Sequence, residues 1–367
     1  MYAANQPLIL VDGETRPLGL IEGAQALVNS TKWPTFATVF SKGLIDMTLP
    51  NVYGIHQGSF ADPKTKSFVD GADLVLCLGP HFSSTNSYAW SAVPNTDISI
   101  SFTQAGIEIG NQIFRDIPIR DAVSRLLEKL DLSKVTQYKG GLDLPRDEAL
   151  SFSDVSKDQL IKQDKLWRLM APFLRPGDII LGETGTAGYG VREMPFPKHT
   201  RLFAPVTWLS IGYMLPASQG AALAQRELIA SSKYHGISDA RTILIIGDGS
   251  FQMTVQELAT IIRHKLNVVV FLINNDGYTI ERCIHGLNEG YNDVSPWRYL
   301  RAPGLFGAPE DTYTASARTY GELEKVMMDN KVLSDGMGVR MVEVFMDRND
   351  APVGPLLSLL NKQKEAN

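Results

Sequence analysis

GDGSFQMTVQELATIIRHKLNVVVFLINN, residues 247–275, is the stretch whose reading decides the fold of this chain. An apolar run, RTILII at 241–246, leads into it, and a second, NVVVFLI at 267–273, ends on the pair Asn274–Asn275. Both runs have the length and unbroken apolarity of strands buried on two faces of a parallel sheet. Between them Val255, Leu258, Ile261, Ile262 and Leu266 recur at helical spacing, which predicts an amphipathic helix. The unit is therefore strand, turn, helix, strand. Its polar residues gather at the carboxyl ends of two strands, where open α/β sheets bind ligands.

The residue types at those ends suggest which ligand. Gly247 and Gly249 let the backbone come close to a bound group, and the start of the following helix offers unpaired N–H groups suited to phosphate. Asp248 supplies a hard carboxylate and Asn275 a hard amide oxygen, the donors that Mg²⁺ prefers when it also carries substrate phosphates. The spacing predicts a site for a magnesium diphosphate. A GDG turn alone is more often only a tight turn. The asparagine pair after a second apolar strand is what adds the ligand reading.

Outward from this unit the chain reads as two α/β domains, both doubly wound with parallel sheets. The segments LILVD (8–12), TFATVF (35–40), ADLVLCLG (72–79) and DISIS (97–101) are strand candidates of a Rossmann-like domain over 1–135, closed by a helix at 119–130. That domain has no G-x-G-x-x-G fingerprint for a dinucleotide. A polar, Gly- and Pro-containing stretch over 136–158 reads as a linker, and the second domain follows over 159–367. In it, DIIL leads to the turn GETGT (182–186), and SSKYHGISDA (231–240) reads as surface decoration.

Composition excludes some classes of partner. With 44% apolar and 20% charged residues the 367-residue chain is ordinary for a globular protein, and a net charge of −5 argues against nucleic acid or a polybasic membrane surface. No apolar run approaches the ~18 residues of a membrane span, and the first residues lack a secretory pattern, so the expected location is cytoplasmic. The two cysteines, Cys77 and Cys283, are expected to be unpaired, with Cys77 inside a buried strand.

The GDG…NN pattern resembles the cofactor signature of thiamine diphosphate enzymes, and the longer string from Gly247 to Gly286 is similar to the pyruvate decarboxylase family, fungal type. GETGTAGYG (182–190), WLSIGYMLPASQGAALA (208–224), VEVFMDRNDAP (342–352) and, nearer the start, PLILVD, FSKGLID and DGADLVLCLGPHFSSTNS carry the same resemblance. It implies a central domain followed by a diphosphate-binding domain, with thiamine diphosphate and Mg²⁺ as cofactors. By resemblance, Asp248, Asn275 and Gly277 hold the metal; Thr184, Gly185, Thr186, Gly249, Ser250, Asn275, Thr279 and Ile280 meet the diphosphate. Ile211 props the two cofactor rings into a V, the Leu209 carbonyl accepts from the pyrimidine amino group, and Glu281 is the catalytic carboxylate. Arg282 reads as a surface charge and His285 as structural.

The implied activity is non-oxidative decarboxylation of a 2-oxo acid to an aldehyde and CO₂. Thr85 and Gly188 stand where relatives narrow the pocket with aromatic side chains, which favours a bulkier aromatic acid over pyruvate. The chain begins about where the family's central domain begins, so the pyrimidine-binding domain, with its glutamate and paired histidines, is expected to be absent from it. Two alternatives are a half-enzyme that needs that domain from another chain, and a catalytically silent regulatory subunit of a complete paralogue. A homo-oligomer, dimer or tetramer, is expected because family sites lie between subunits.

Overall fold

The computed structural model describes residues 1–138, 140–333 and 338–366. The chain divides into two compact units, Met1–Asp147 and Glu148–Asn367. The stretch read as a linker is shared between them. Trp33 Nε1 donates to Thr136 O at 3.0 Å and Tyr138 OH donates to Pro7 O at 2.8 Å, so its first part packs on the first unit. Its end is held by the second unit, where Gly321 N–H donates to Lys157 O at 2.8 Å.

The first unit is built on seven strands: β1 (Pro7–Val11), β2 (Thr35–Ala37), β3 (Val52–Ile55), β4 (Leu74–Leu78), β5 (Ser99–Thr103), β6 (Gly106–Ile109) and β7 (Gln112–Phe114). Their order is β3-β2-β1-β4-β5-β6-β7, parallel from β3 to β5. The final hairpin, β6 and β7, is antiparallel, a departure from an all-parallel sheet. It turns at Gly110, whose φ of 56° suits glycine. Helices Ile21–Thr31 and Ile119–Lys129 cover one face over Ile9, Val11, Leu76 and Leu78. Cys77 faces the other side with Leu8, Leu10 and Phe36, and both cysteines are free and buried.

The second unit holds the deciding motif. Its strands are β8 (Ile179–Gly182), β9 (Arg201–Phe203), β10 (Thr242–Gly247), β11 (Val268–Asn274), β12 (Thr314–Ala317) and β13 (Val339–Phe345), ordered β12-β13-β11-β10-β8-β9 and parallel throughout. The strands β10 and β11 are the two apolar runs, and Ile243 to Ile246 and Val268 to Ile273 are buried. The predicted single helix between them is instead two pieces, Asp248–Thr254 and Leu258–Arg263, joined by a 3₁₀ turn. The break falls at Thr254 (φ −139°), whose hydroxyl donates to Gly212 O at 2.8 Å. Leu258, Ile261 and Leu266 are buried as their spacing predicts. The segment 231–240 is more than decoration: Tyr234 is buried, and its hydroxyl donates to Gly177 O at 2.5 Å.

Candidate functional site

The strands β10 and β11 run side by side with Gly247 opposite Ile273, so Asp248 and Asn275 emerge at neighbouring strand ends. The helix Asp248–Thr254 starts on the residue after β10, which turns the chain away and leaves the Asp248 side chain at the edge of the sheet. Asp248 and Asn275 are almost fully buried. Asp248 Oδ1 accepts from Gly249 N–H at 2.7 Å and Oδ2 from Gly277 N–H at 3.0 Å. Burial nevertheless pushes its pKa up to about 6, since desolvation outweighs these donors.

Three polar side-chain and backbone groups converge here. The inner end of the Asn275 amide lies 3.3 Å from Asp248 Oδ1 and 3.0 Å from Gly277 O, and its outer end lies 2.9 Å from Thr279 Oγ1. With nitrogen outward, Asn275 Nδ2 donates to Thr279 Oγ1, and the single Thr279 hydroxyl proton goes to Arg348 O at 3.0 Å. Turned, Asn275 Nδ2 donates to Asp248 Oδ1 and Gly277 O and its oxygen accepts from Thr279 Oγ1, so this orientation satisfies both ends of the amide. With the amide oxygen inward instead, three acceptors, Asp248 Oδ1, Gly277 O and Asn275 Oδ1, surround one point. That arrangement suits a cation. The spacings match the roughly 2.9 Å separating neighbouring oxygens of an octahedral Mg²⁺ with bonds of about 2.0–2.1 Å.

Gly277 has φ 116°, and a Cβ there would lie 2.2 Å from Asn292 O, so only glycine lets the chain turn its carbonyl into this cluster. Tyr278 N–H donates to the same Asn292 O at 2.9 Å. The ring of Tyr278 lies against Gly249, where a Cβ would come within 2.5 Å of it. The helix Thr279–His285 follows, with Thr279 and Ile280 buried and Glu281 partly exposed. His285 Nε2 stands 3.4 Å from Glu281 Oε2.

Two other segments approach along the same edge. After β8, which pairs with β10, the GETGT turn passes through Gly185 at φ 104° into the short helix Thr186–Gly190. In the 208–213 loop Trp208 is 86% exposed, Leu209 adopts φ 51° and Ile211 is partly buried. Between the segments sits Glu183, a buried carboxylate that sequence reasoning passed over. A turn acid is unremarkable in a sequence, and only its 0% exposure and its partners mark it.

One reading is corrected. Arg282 is not a surface charge: it is fully buried, donating from Nη2 to Asp276 O at 2.7 Å and to Asp293 Oδ1 at 2.6 Å. The Arg348 guanidinium shares that carboxylate at 2.6 Å, so Arg282 ties the DGY turn to the loop behind it. At Gly188 a Cβ would lie 2.8 Å from Glu183 O, so a larger residue there would require the turn to shift.

Comparison with known proteins identifies the two domains. Residues 1–130 match the thiamine pyrophosphate enzyme central domain and residues 183–331 the C-terminal TPP binding domain of the same enzymes. The chain belongs to the thiamine pyrophosphate enzymes and carries these two domains. It is 53% identical to the pyruvate decarboxylase of Aspergillus parasiticus over 99% of its own length and 62% of that protein's. With the pyruvate decarboxylase of Candida glabrata it is 35% identical over 95% of its length and 60% of the relative's. It thus spans about three fifths of these relatives. Among solved structures, the benzoylformate decarboxylase of Polynucleobacter necessarius shares the fold, with a TM-score of 0.69 at 14% identity over 96% of this chain and 64% of that one. The cofactors that follow from the family are thiamine diphosphate and Mg²⁺.

Proposed function

We propose that this chain serves the non-oxidative decarboxylation of a 2-oxo acid, pyruvate or a bulkier aromatic acid, to an aldehyde and CO₂. The observation that carries the reading is the convergence of the Asp248 carboxylate, the Asn275 amide and the Gly277 carbonyl beside a buried turn, in a chain closely similar to a pyruvate decarboxylase. Thiamine diphosphate, when bound, supplies the electron sink that decarboxylation requires.

The chain's own residues do the rest. Asp248, Asn275 and the Gly277 carbonyl would hold Mg²⁺. Backbone N–H groups of Gly185, Thr186, Gly249, Ser250, Thr279 and Ile280, with the hydroxyls of Thr184, Thr186, Ser250 and Thr279 and the amide of Asn275, form the polar wall for the diphosphate. Ile211 would support the bound cofactor, and the Leu209 carbonyl would accept from its pyrimidine amino group. Glu281 holds and returns a proton at the reacting carbon, and its partial exposure lets it exchange that proton with solvent. A preference for an aromatic acid would rest on the small residues Thr85 and Gly188.

The exposed Trp208, Leu209 and Tyr213 support a second element of the proposal. An apolar strip beside the cofactor loop needs cover, which a pyrimidine-binding domain, in trans or in a homo-oligomer, would give. Among the described residues no helix is long and apolar enough to cross a membrane. A cytoplasmic location belongs to the same proposal and is supported by two cysteines left unpaired.

The test is Asp248→Ala. Titration calorimetry with thiamine diphosphate and Mg²⁺ is expected to show binding by the parent and none by the variant, with the far-ultraviolet circular dichroism of the two unchanged. Equal affinity would remove the metal assignment.

A further inference from the structure

We infer that Glu183 is a positioning residue that sets the Ile211 loop in register with the GETGT turn. The inference deepens the proposed function and rests on it, because both segments are read there as cofactor contacts. Glu183 follows β8 directly, and its backbone N–H donates to Ile245 O at 2.9 Å, so its main chain is fixed to the sheet. Its carboxylate is 0% exposed. Oε1 accepts from Thr184 N–H at 2.7 Å, within the GETGT turn. Oε2 reaches across to the Met214 N–H at 2.8 Å, the first residue of the helix Met214–Ala230, and the Gly212 N–H faces the same carboxylate.

One side chain thus grips both segments. A carboxylate at the start of a 17-residue helix is favoured by the helix dipole, which together with backbone donors offsets part of the cost of burying a charge, although desolvation still raises its pKa. The Gly212 carbonyl is held from the opposite side by the Thr254 hydroxyl at 2.8 Å. With its N–H facing Glu183 and its C=O on Thr254, Gly212 is clamped at both ends, and Ile211 is the residue immediately before it. Gly212 itself adopts φ 87°, and a Cβ would meet Met253 Cβ at 2.8 Å, so the clamp fits no other residue. Leaving this carboxylate out would free the loop while the sheet stayed intact.

The diagnostic variant is Glu183→Asp. One methylene shorter, it keeps the charge and can still reach the neighbouring Thr184 N–H, but it cannot span to Met214. Two readouts on the full chain decide. In the cofactor-free protein, amide hydrogen exchange over residues 209–214 is expected to rise at least tenfold while β8, β10 and β11 stay protected. In calorimetry, Mg²⁺ with inorganic pyrophosphate is expected to bind as to the parent, whereas Mg²⁺ with thiamine diphosphate binds about tenfold more weakly, the loss of one hydrogen bond to a charged group. A merely structural role would weaken both probes alike, and that result overturns the inference. So does unchanged exchange over 209–214. Glu183→Gln, which keeps length but presents an NH₂ to one of the backbone donors, is the second variant and is expected to loosen the same residues. A parent that binds neither probe would refute the cofactor reading, while the exchange measurement still judges what Glu183 holds.

Discussion

Leu209 adopts φ 51°, a left-handed conformation in which a side chain crowds its own backbone. The Leu209 N–H donates to Pro205 O at 3.1 Å, and the turn at 208–213 keeps the residue in that geometry whatever its side chain. Glycine would meet the same geometry without the steric cost, which is typically about 1 kcal/mol, against a smaller loss from the freer unfolded chain. Leu209→Gly is therefore expected to leave stability unchanged or raise it by up to about 1 kcal/mol in urea unfolding. Because the carbonyl proposed to meet the pyrimidine is retained, thiamine diphosphate affinity should hold. A variant destabilised by more than about 1 kcal/mol would show that packing by the 37%-exposed side chain outweighs the strain.

Among the elements, the start of β10 is fixed by a pair of charges with no exposure at all. Arg241 Nη2 donates to Asp178 Oδ2 at 2.6 Å, and Asp178 also accepts from the Arg241 and Arg175 N–H groups at 2.9 Å each. The carboxylate thereby ties the RPGD turn before β8 to the strand that ends in GDG. Removing one partner of a buried pair strands the other, so Asp178→Ala is expected to cost about 3–5 kcal/mol in denaturant unfolding. A loss below about 1 kcal/mol would mean that water replaces the carboxylate freely. At this scale much was legible in the sequence. The strands β1, β4, β10 and β11 are unbroken apolar runs, and sheet neighbours on both faces require that composition. The strand β3 was hidden because Gly54, at φ 84°, interrupts its pattern where the register shifts. The hairpin of β6 and β7 is short and mostly exposed, so it carries no core signature. The helix break at Thr254 left no trace because apolar periodicity continues across it. For the candidate site, Asp248, Asn275 and Gly277 could be found from the spacing and the resemblance. Glu183 and Arg282 could not, because their roles come from backbone partners that are remote in sequence.

At the scale of the molecule, the two units have separate cores, and their buried ionisable groups respond to acid in opposite directions. In the first unit His56 is buried against Phe36, its Nδ1 has no partner, and desolvation lowers its pKa to about 4. Its folded pKa lies below the unfolded value of 6.5, so the unfolded state binds the proton first. The contribution to stability is fully present above about pH 6.5 and is lost as pH falls toward 4. At pH 5 the loss is about 2 kcal/mol. Asp73, whose pKa is lowered by the Asn5 and Gln6 N–H groups, adds to acid sensitivity only below the usual carboxylate range. In the second unit burial raises the pKa values of Glu183 and Asp350. Carboxyls raised on folding favour the folded state as pH falls through their folded values, so mild acid spares or steadies this unit. Scanning calorimetry of the cofactor-free chain between pH 7.5 and 5 is therefore expected to separate two transitions. The one assigned to Met1–Asp147 should fall by several degrees and the other should hold or rise. His56→Leu should flatten the pH dependence of the first transition, and thiamine diphosphate with Mg²⁺ should raise only the second, which contains every proposed cofactor ligand. An acid shift of the first transition that persists in the leucine variant would place the proton elsewhere and sink the assignment to His56.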